Sequence, residues 1–364
     1  MTNTVKQLVN EGQSIWQDDI SRQLIENGDL QKAIDEIGIR GVTSNPTIFQ
    51  KAIAGSDAYD AEITSLLAEG KDAAAVFQTV AVKDIQDACD LFRPLYDETN
   101  GVDGYVSMEV LPSLARDTEG TLENARVLWQ AVNRPNLMIK VPGTVEGVPA
   151  VKELLTEGIN VNITLLFSLQ NYETVARAYI EALQTRADLG EPVDSIASVA
   201  SFFVSRVDAA TDKLLDEIGT DEAKAMKGKA AIANAVLAYE KFEELFGSEQ
   251  FQVLAAKGAM VQRPLWASTG VKNPDYPATL YVDTLIGPNT VNTAPTPTIM
   301  AFLDHGTVKR TVDADYAGAH KVMDDLAALG VDIDAVTAKL EEDGIASFMT
   351  SYDDLLASVE SKKA

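Results

Sequence analysis

The sequence predicts an α/β chain folded as a (β/α)8 TIM barrel with additional C-terminal helices. Eight short apolar runs alternate with long amphipathic stretches across 364 residues, a normal length for such a barrel with additions. The runs are continuously apolar, as strands buried on both faces should be, instead of alternating polar and apolar. A doubly wound open sheet is the competing architecture, and no glycine-rich phosphate fingerprint follows the first strand to support it.

In chain order the expected strands are 14–18, 41–44, 105–109, 138–141, 161–165, 198–203, 264–268 and 290–292. Helical periodicity marks 60–67, 73–95, 119–132, 169–186, 206–218 and 228–246 between them. The proline-bearing segments 272–277 and 293–297 read as loops. Helical patterning then returns at 298–303, 316–329, 333–341 and 345–359. The expected organisation is a catalytic barrel over 1–300 and a helical extension over 301–364, packed on the barrel as part of the same domain.

Composition removes several function classes. Acidic residues outnumber basic ones 55 to 30, a net charge of −25, which argues against nucleic-acid binding because that needs a basic footprint. Apolar runs of four to six residues fall far short of a membrane span. The lone Cys89 allows no internal disulfide, which fits a reducing compartment. The N-terminal run Met1–Gln7 lacks a basic segment followed by an apolar one, so the expected location is the cytoplasm. Only two histidines are present, His305 and His320, both in the helical C-terminal part. That is too few for the histidine ligands of a zinc-dependent aldolase, or for a histidine-based triad placed on the barrel. An anionic substrate would be repelled by the overall field, so local cations in the pocket must overcome it.

In a (β/α)8 barrel the chemistry stands at the carboxyl ends of the strands. Read in order, those ends carry Asp18, Ser44 with Asn45, Glu109, Lys140, Asn162 with Thr164, Ser201 with Arg206, and Ser268. A barrel core favours branched aliphatics there, so each polar group needs a partner or a purpose. Lys140 lies between Ile139 and Val141, in a poorly hydrated setting that favours release of its proton, as carbonyl attack requires. A single lysine of this kind is more often structural, snorkelling to water or paired with Glu109. Carboxylates and hydroxyls on neighbouring ends shift the reading to a nucleophile. Glu109 and Asp18 can divide the proton transfers of Schiff-base carbon–carbon cleavage. Asp18 also reads as a helix N-cap, with Asp19 an equal candidate for that role.

These residues sit in runs that resemble the transaldolase family. Gly41-Val42-Thr43-Ser44-Asn45-Pro46-Thr47-Ile48-Phe49 is similar to that family's N-terminal signature, and Met138-Ile139-Lys140-Val141-Pro142-Gly143-Thr144 to its active-site lysine signature. Val106–Val110, Asn160–Ser168 and Ser198–Arg206 match in order, and Trp266–Lys272 resembles the longer bacterial subgroup. The resemblance spans roughly residues 10 to 300.

It implies transfer of a three-carbon dihydroxyacetone unit between sugar phosphates of the pentose phosphate pathway, with no cofactor. Lys140 would form the imine, and Asp18 would take and return the proton of the C4 hydroxyl. Glu109, with Thr164 holding a water, would serve imine formation and hydrolysis. Asn45, Asn162 and Ser201 would bind the dihydroxyacetone hydroxyls. Arg206 and Lys272 would bind the phosphate, helped by Ser268. The expected partners are small-molecule sugar phosphates, not nucleic acid or membrane; a second copy of the chain, as a homodimer, stays open. One departure concerns Thr269-Gly270-Val271-Lys272, where many members place an arginine after the strand-7 serine. Related fructose-6-phosphate aldolases resemble this chain but carry glutamine at the position of Glu109 and tyrosine at that of Phe203. Glu109 and a dry Phe203 therefore favour transfer over release of free dihydroxyacetone. The alternatives are such an aldolase and a non-catalytic sugar-phosphate-binding barrel.

Overall fold

A computed structural model describes residues 3–362, so the first two and last two residues of the expected organisation lie outside it. Eight parallel strands close in sequence order into a barrel: β1 Gln13–Gln17, β2 Gly41–Val42, β3 Tyr105–Glu109, β4 Leu137–Pro142, β5 Val161–Leu166, β6 Ser198–Phe203, β7 Arg263–Ala267 and β8 Thr290–Ala294. The expected strands all form, with ends shifted by one or two residues. Asp18 and Ser268 fall just past β1 and β7, and Ser268 takes a left-handed backbone at φ 54°.

Three differences from the expected elements matter. The run 293–297 is not a loop, because β8 continues to Ala294 and the helix Thr296–His305 starts two residues later. Pro295 alone makes the corner, and Pro297 sits in the first turn, where a missing N–H costs nothing. A helix Gly147–Glu157, bracketed by glycines and only three turns long, connects β4 to β5 without having been marked. The segments 333–341 and 345–359 are one continuous helix, Ile333–Glu360, which passes through Gly344. Glycine costs about 1 kcal/mol relative to alanine inside a helix, which is why the pattern reads as broken there.

The closing helix Ile333–Glu360 lies across the carboxyl end of the barrel. It packs on the helix Pro46–Ala54 that follows β2, the turn Pro112–Leu114 after β3, the helix Ser205–Ile218 after β6, and β5 itself. Polar ties fix it on both sides: Asn171 Nδ2 donates to Glu341 at 2.6 Å, and Thr47 Oγ1 donates to Ser351 Oγ at 2.8 Å. Just past the second tie, Tyr352 packs edge-on against Phe77.

At the opposite end, a buried ionic network plugs the barrel. Asp103 accepts from Arg263 at 3.0 Å, from Arg40 at 2.6 Å and from Ser14 at 2.9 Å, and Arg263 also donates to Ser14 Oγ at 2.7 Å. Burial raises the proton affinity of Asp103, but the two arginines outweigh it and hold the carboxyl below its ordinary value. Above the plug, Trp16 fills the interior so closely that a Cβ at Gly41 would meet its ring at 2.7 Å. No helix among the described residues is long and apolar enough to cross a membrane.

Candidate active site

Adjacent strands bring the expected polar residues to one end of the barrel. Glu109 and Lys140 are register partners on β3 and β4, and Lys140 and Asn162 are partners on β4 and β5. Alternate residues of a strand share a face, so Ser107 and Glu109 point the same way, as do Asn162 and Thr164. The Lys140 side chain is buried, with Nζ donating to the Ser44 carbonyl at 2.8 Å and lying 3.5 Å from Glu109 Oε2. Neither Glu109 oxygen has a hydrogen-bond partner among the described residues. Burial pushes Glu109 above the ordinary carboxylate value, and the nearby charge of Lys140 offsets only part of that rise.

Asp18 is half-buried, follows β1 directly, and accepts a hydrogen bond from Thr43 Oγ1 at 2.6 Å. The Thr43 hydroxyl is also 2.7 Å from that of Thr293, so β1, β2 and β8 converge on the carboxylate. The charge of Asp18 acts on both Glu109 and Arg206, so the three groups form one electrostatic set with Lys140. The N-cap reading of Asp18 is not what the structure shows, because Ser21 caps the helix that follows.

Beneath Lys140 lies a buried relay in which Ser201 Oγ donates to Asn162 Oδ1 at 2.6 Å and Asn162 Nδ2 donates to Ser107 Oγ at 3.0 Å. Thr164 is fully buried and its hydroxyl has no partner among the described residues. A bulge accompanies it: β5 places Thr164 and Leu165 opposite Ser201 alone, and Leu165 adopts φ 60°. Bulges beside active sites re-aim side chains, and a leucine at positive φ is a costly way to do so. Asn45 caps the helix Pro46–Ala54, with its Oδ1 accepting from the Ile48 amide at 3.0 Å. That bond spends its acceptor, and its amide donors have no partner among the described residues.

Arg206 supplies the positive charge. Its guanidinium lies 5.4 Å above the Phe203 ring, which packs on Phe167 at 5.1 Å. No ion pair or hydrogen bond engages it among the described residues. Burial lowers its proton affinity, with Asp18 acting the other way, yet a guanidinium stays charged. Ser268 joins this corner through Ser205, hydroxyl to hydroxyl at 3.0 Å.

Lys272 stands apart. Its side chain is exposed, on a cleft it shares with Ser205, Asp208, Asp212, Lys227 and Tyr276. Tyr276 pins this loop by donating to Asp212 at 2.5 Å. The sequence reading missed Thr43, Ser107, Phe167 and the Ser44 carbonyl. The first three lie in runs already marked, but a backbone acceptor leaves no trace in side-chain chemistry.

The arrangement suits amine-based carbonyl chemistry on an anionic sugar: a buried amine, a carboxyl with raised proton affinity beside it, a second carboxylate, hydroxyl and amide groups, and an unpaired guanidinium. Comparison with known proteins agrees with that chemistry. A family model described as Transaldolase/Fructose-6-phosphate aldolase matches residues 15–359. A protein of Trichodesmium erythraeum (strain IMS101) named Transaldolase is 49% identical over 372 residues, covering 100% of this chain and 98% of its own length. One of Frankia alni (strain DSM 45986 / CECT 9034 / ACN14a) with the same name is 48% identical over 360 residues, covering 99% and 97%. Another, of Thermobifida fusca (strain YX), is 48% identical over 365 residues, covering 100% and 99%.

Proposed function

The chain belongs to the transaldolase/fructose-6-phosphate aldolase family, and from that premise we propose that it is a transaldolase moving a dihydroxyacetone unit between sugar phosphates. The observation that carries this reading is the buried Lys140 amine 3.5 Å from buried Glu109 at the ends of adjacent strands. The donor is a ketose phosphate such as fructose 6-phosphate or sedoheptulose 7-phosphate. The acceptor is an aldose phosphate, erythrose 4-phosphate or glyceraldehyde 3-phosphate.

Lys140 attacks the ketose carbonyl, and water leaves as the imine forms. Glu109 receives and returns protons in that step, since burial makes its carboxyl a better proton acceptor than an exposed one. Thr164, whose hydroxyl has its bonding capacity unspent, can hold the water. Asp18 takes the C4 hydroxyl proton as the C3–C4 bond breaks, and the electron pair stays on the imine-linked three-carbon unit. The first aldose phosphate leaves and the second enters. The three-carbon unit then attacks the new aldehyde, Asp18 returns the proton, and hydrolysis frees Lys140.

Asn45, Asn162 and Ser201 hold the dihydroxyacetone hydroxyls, and Arg206, with Ser268, holds the phosphate, while Lys272 adds positive charge from the neighbouring cleft that Ser205 also lines. An unpaired guanidinium fits phosphate as a two-pronged donor, and its position inside the mouth offsets a chain charge of −25. Phe203 lines the site with an apolar ring next to Phe167, which keeps water from the imine while the acceptor arrives. Acceptor dependence tests the reading. Consumption of fructose 6-phosphate should require erythrose 4-phosphate; consumption without it, with release of dihydroxyacetone, would assign an aldolase instead.

A further inference from the structure

Gly344 sits in the interior of the closing helix, where glycine is a poor choice for helix stability. A Cβ built there would lie 2.8 Å from Leu165 Cδ2, 3.8 Å from Arg206 Nη1 and 3.8 Å from the Phe167 ring. The first distance is closer than real Cβ contacts allow. Leu165 has little freedom to yield, being 1% exposed and held at φ 60° by the β5 bulge. The helix has little freedom either, because Asn171 ties it three residues before Gly344 and Thr47 ties it seven residues after. The missing side chain therefore lets the helix rest directly on Leu165, beside the guanidinium that stacks on Phe203.

We propose that Gly344 is a positioning residue for substrate phosphate, setting through its contact with Leu165 the depth of the closing helix over Arg206. This rests on the reading of Arg206 as a phosphate ligand. Gly344 touches neither the imine nor the reacting carbons. Its effect is confined to the phosphate end of the substrate and absent from Schiff-base formation with a phosphate-free ketone. Leu165 is the complementary half of the contact, so filling one side and emptying the other should cancel.

The test uses the full-length enzyme, with fructose 6-phosphate as donor, inorganic phosphate as inhibitor, and dihydroxyacetone with borohydride as a phosphate-free probe of imine formation. Gly344→Ala should raise the KM for fructose 6-phosphate and the inhibition constant of phosphate by about tenfold, the scale of a sub-ångström misplacement. Its kcat and its dihydroxyacetone trapping should stay near wild type. Leu165→Ala combined with Gly344→Ala should restore both phosphate constants. Unchanged phosphate constants in Gly344→Ala, equal loss of dihydroxyacetone trapping, or no recovery in the double variant would each overturn the proposal. If Gly344→Ala fails to fold, Leu165→Ala alone decides, with severalfold weaker phosphate inhibition expected and unchanged inhibition overturning it. Arg206→Ala separates the two levels. A KM for fructose 6-phosphate unchanged in that variant sinks the reading of Arg206 itself. A raised KM there with normal constants in Gly344→Ala sinks only the role of Gly344.

Discussion

Lys140 Nζ lies 3.5 Å from Glu109 Oε2 on the neighbouring strand, and each side chain is only 6% exposed. The shorter contact of the amine is with the Ser44 carbonyl, at 2.8 Å, so the carboxyl pairs with the amine across 3.5 Å without a hydrogen bond to fix it. This geometry suits a nucleophile that must lose its proton, attack and later be released.

Replacing Glu109 by glutamine should lower kcat by about 10²- to 10³-fold while leaving phosphate affinity intact. The rate needs the carboxylate, and burial places its titration above the ordinary glutamate value of 4.5. Wild-type activity should therefore fall on the acid side at a pH above that value. The variant should lose this acid limb, which steady-state rates across pH would reveal.

Phe203→Tyr adds a hydroxyl to a ring that is 7% exposed and packs against Phe167 and the Arg206 guanidinium. The variant should release more free dihydroxyacetone per transfer event than the wild type, measured by enzymatic assay of dihydroxyacetone. Equal release would count against a dry Phe203 as the basis of transfer.

The barrel was legible because its strands are buried on both faces and so read as continuous apolar runs; only ends moved, as with Asp18 and Ser268. Polar residues at strand ends identified Lys140, Glu109, Asn162 and Arg206, since nothing in a barrel core explains them. What stayed hidden depends on neighbours that are distant in sequence. Arg263 and Asp103, 160 positions apart, form the plug at the other end, and neither carries a local signal. Gly344 looked like a helix break because its reason, Leu165, is supplied by a different element. Lys272 was expected at the phosphate from a segment that departs from the family's arginine pattern, and nothing local in that segment reveals that its loop faces an exposed cleft.

Asp208 is buried beneath the hydroxyl of Tyr281, which donates to it at 2.7 Å, and the Ala231 amide donates at 2.8 Å. Burial raises its pKa from 3.8 to about 6. The folded protein thus binds this proton more tightly than the unfolded chain. The stabilisation is fully present below about pH 4 and is lost as pH rises through about 6. Relative to Asp208→Asn, wild type should lose about 3 kcal/mol across that window at about 1.36 kcal/mol per unit. Urea unfolding of both proteins between pH 4 and 7 gives the difference directly.

Asp103→Asn leaves the buried Arg263 and the half-buried Arg40 without their shared carboxylate. Breaking a buried pair from one side typically costs about 3–5 kcal/mol. The urea midpoint should fall accordingly, while the folded enzyme keeps its kcat, because the plug lies at the end of the barrel opposite Lys140.

Borohydride reduction decides whether Lys140 carries the Schiff base that the proposed transfer requires. Reduction in the presence of fructose 6-phosphate, followed by peptide mass mapping, should place a stable three-carbon adduct on Lys140. Activity should be lost in parallel, and Lys140→Met should give no adduct. An adduct on a different lysine, or full turnover with Lys140 unmodified, would contradict the account.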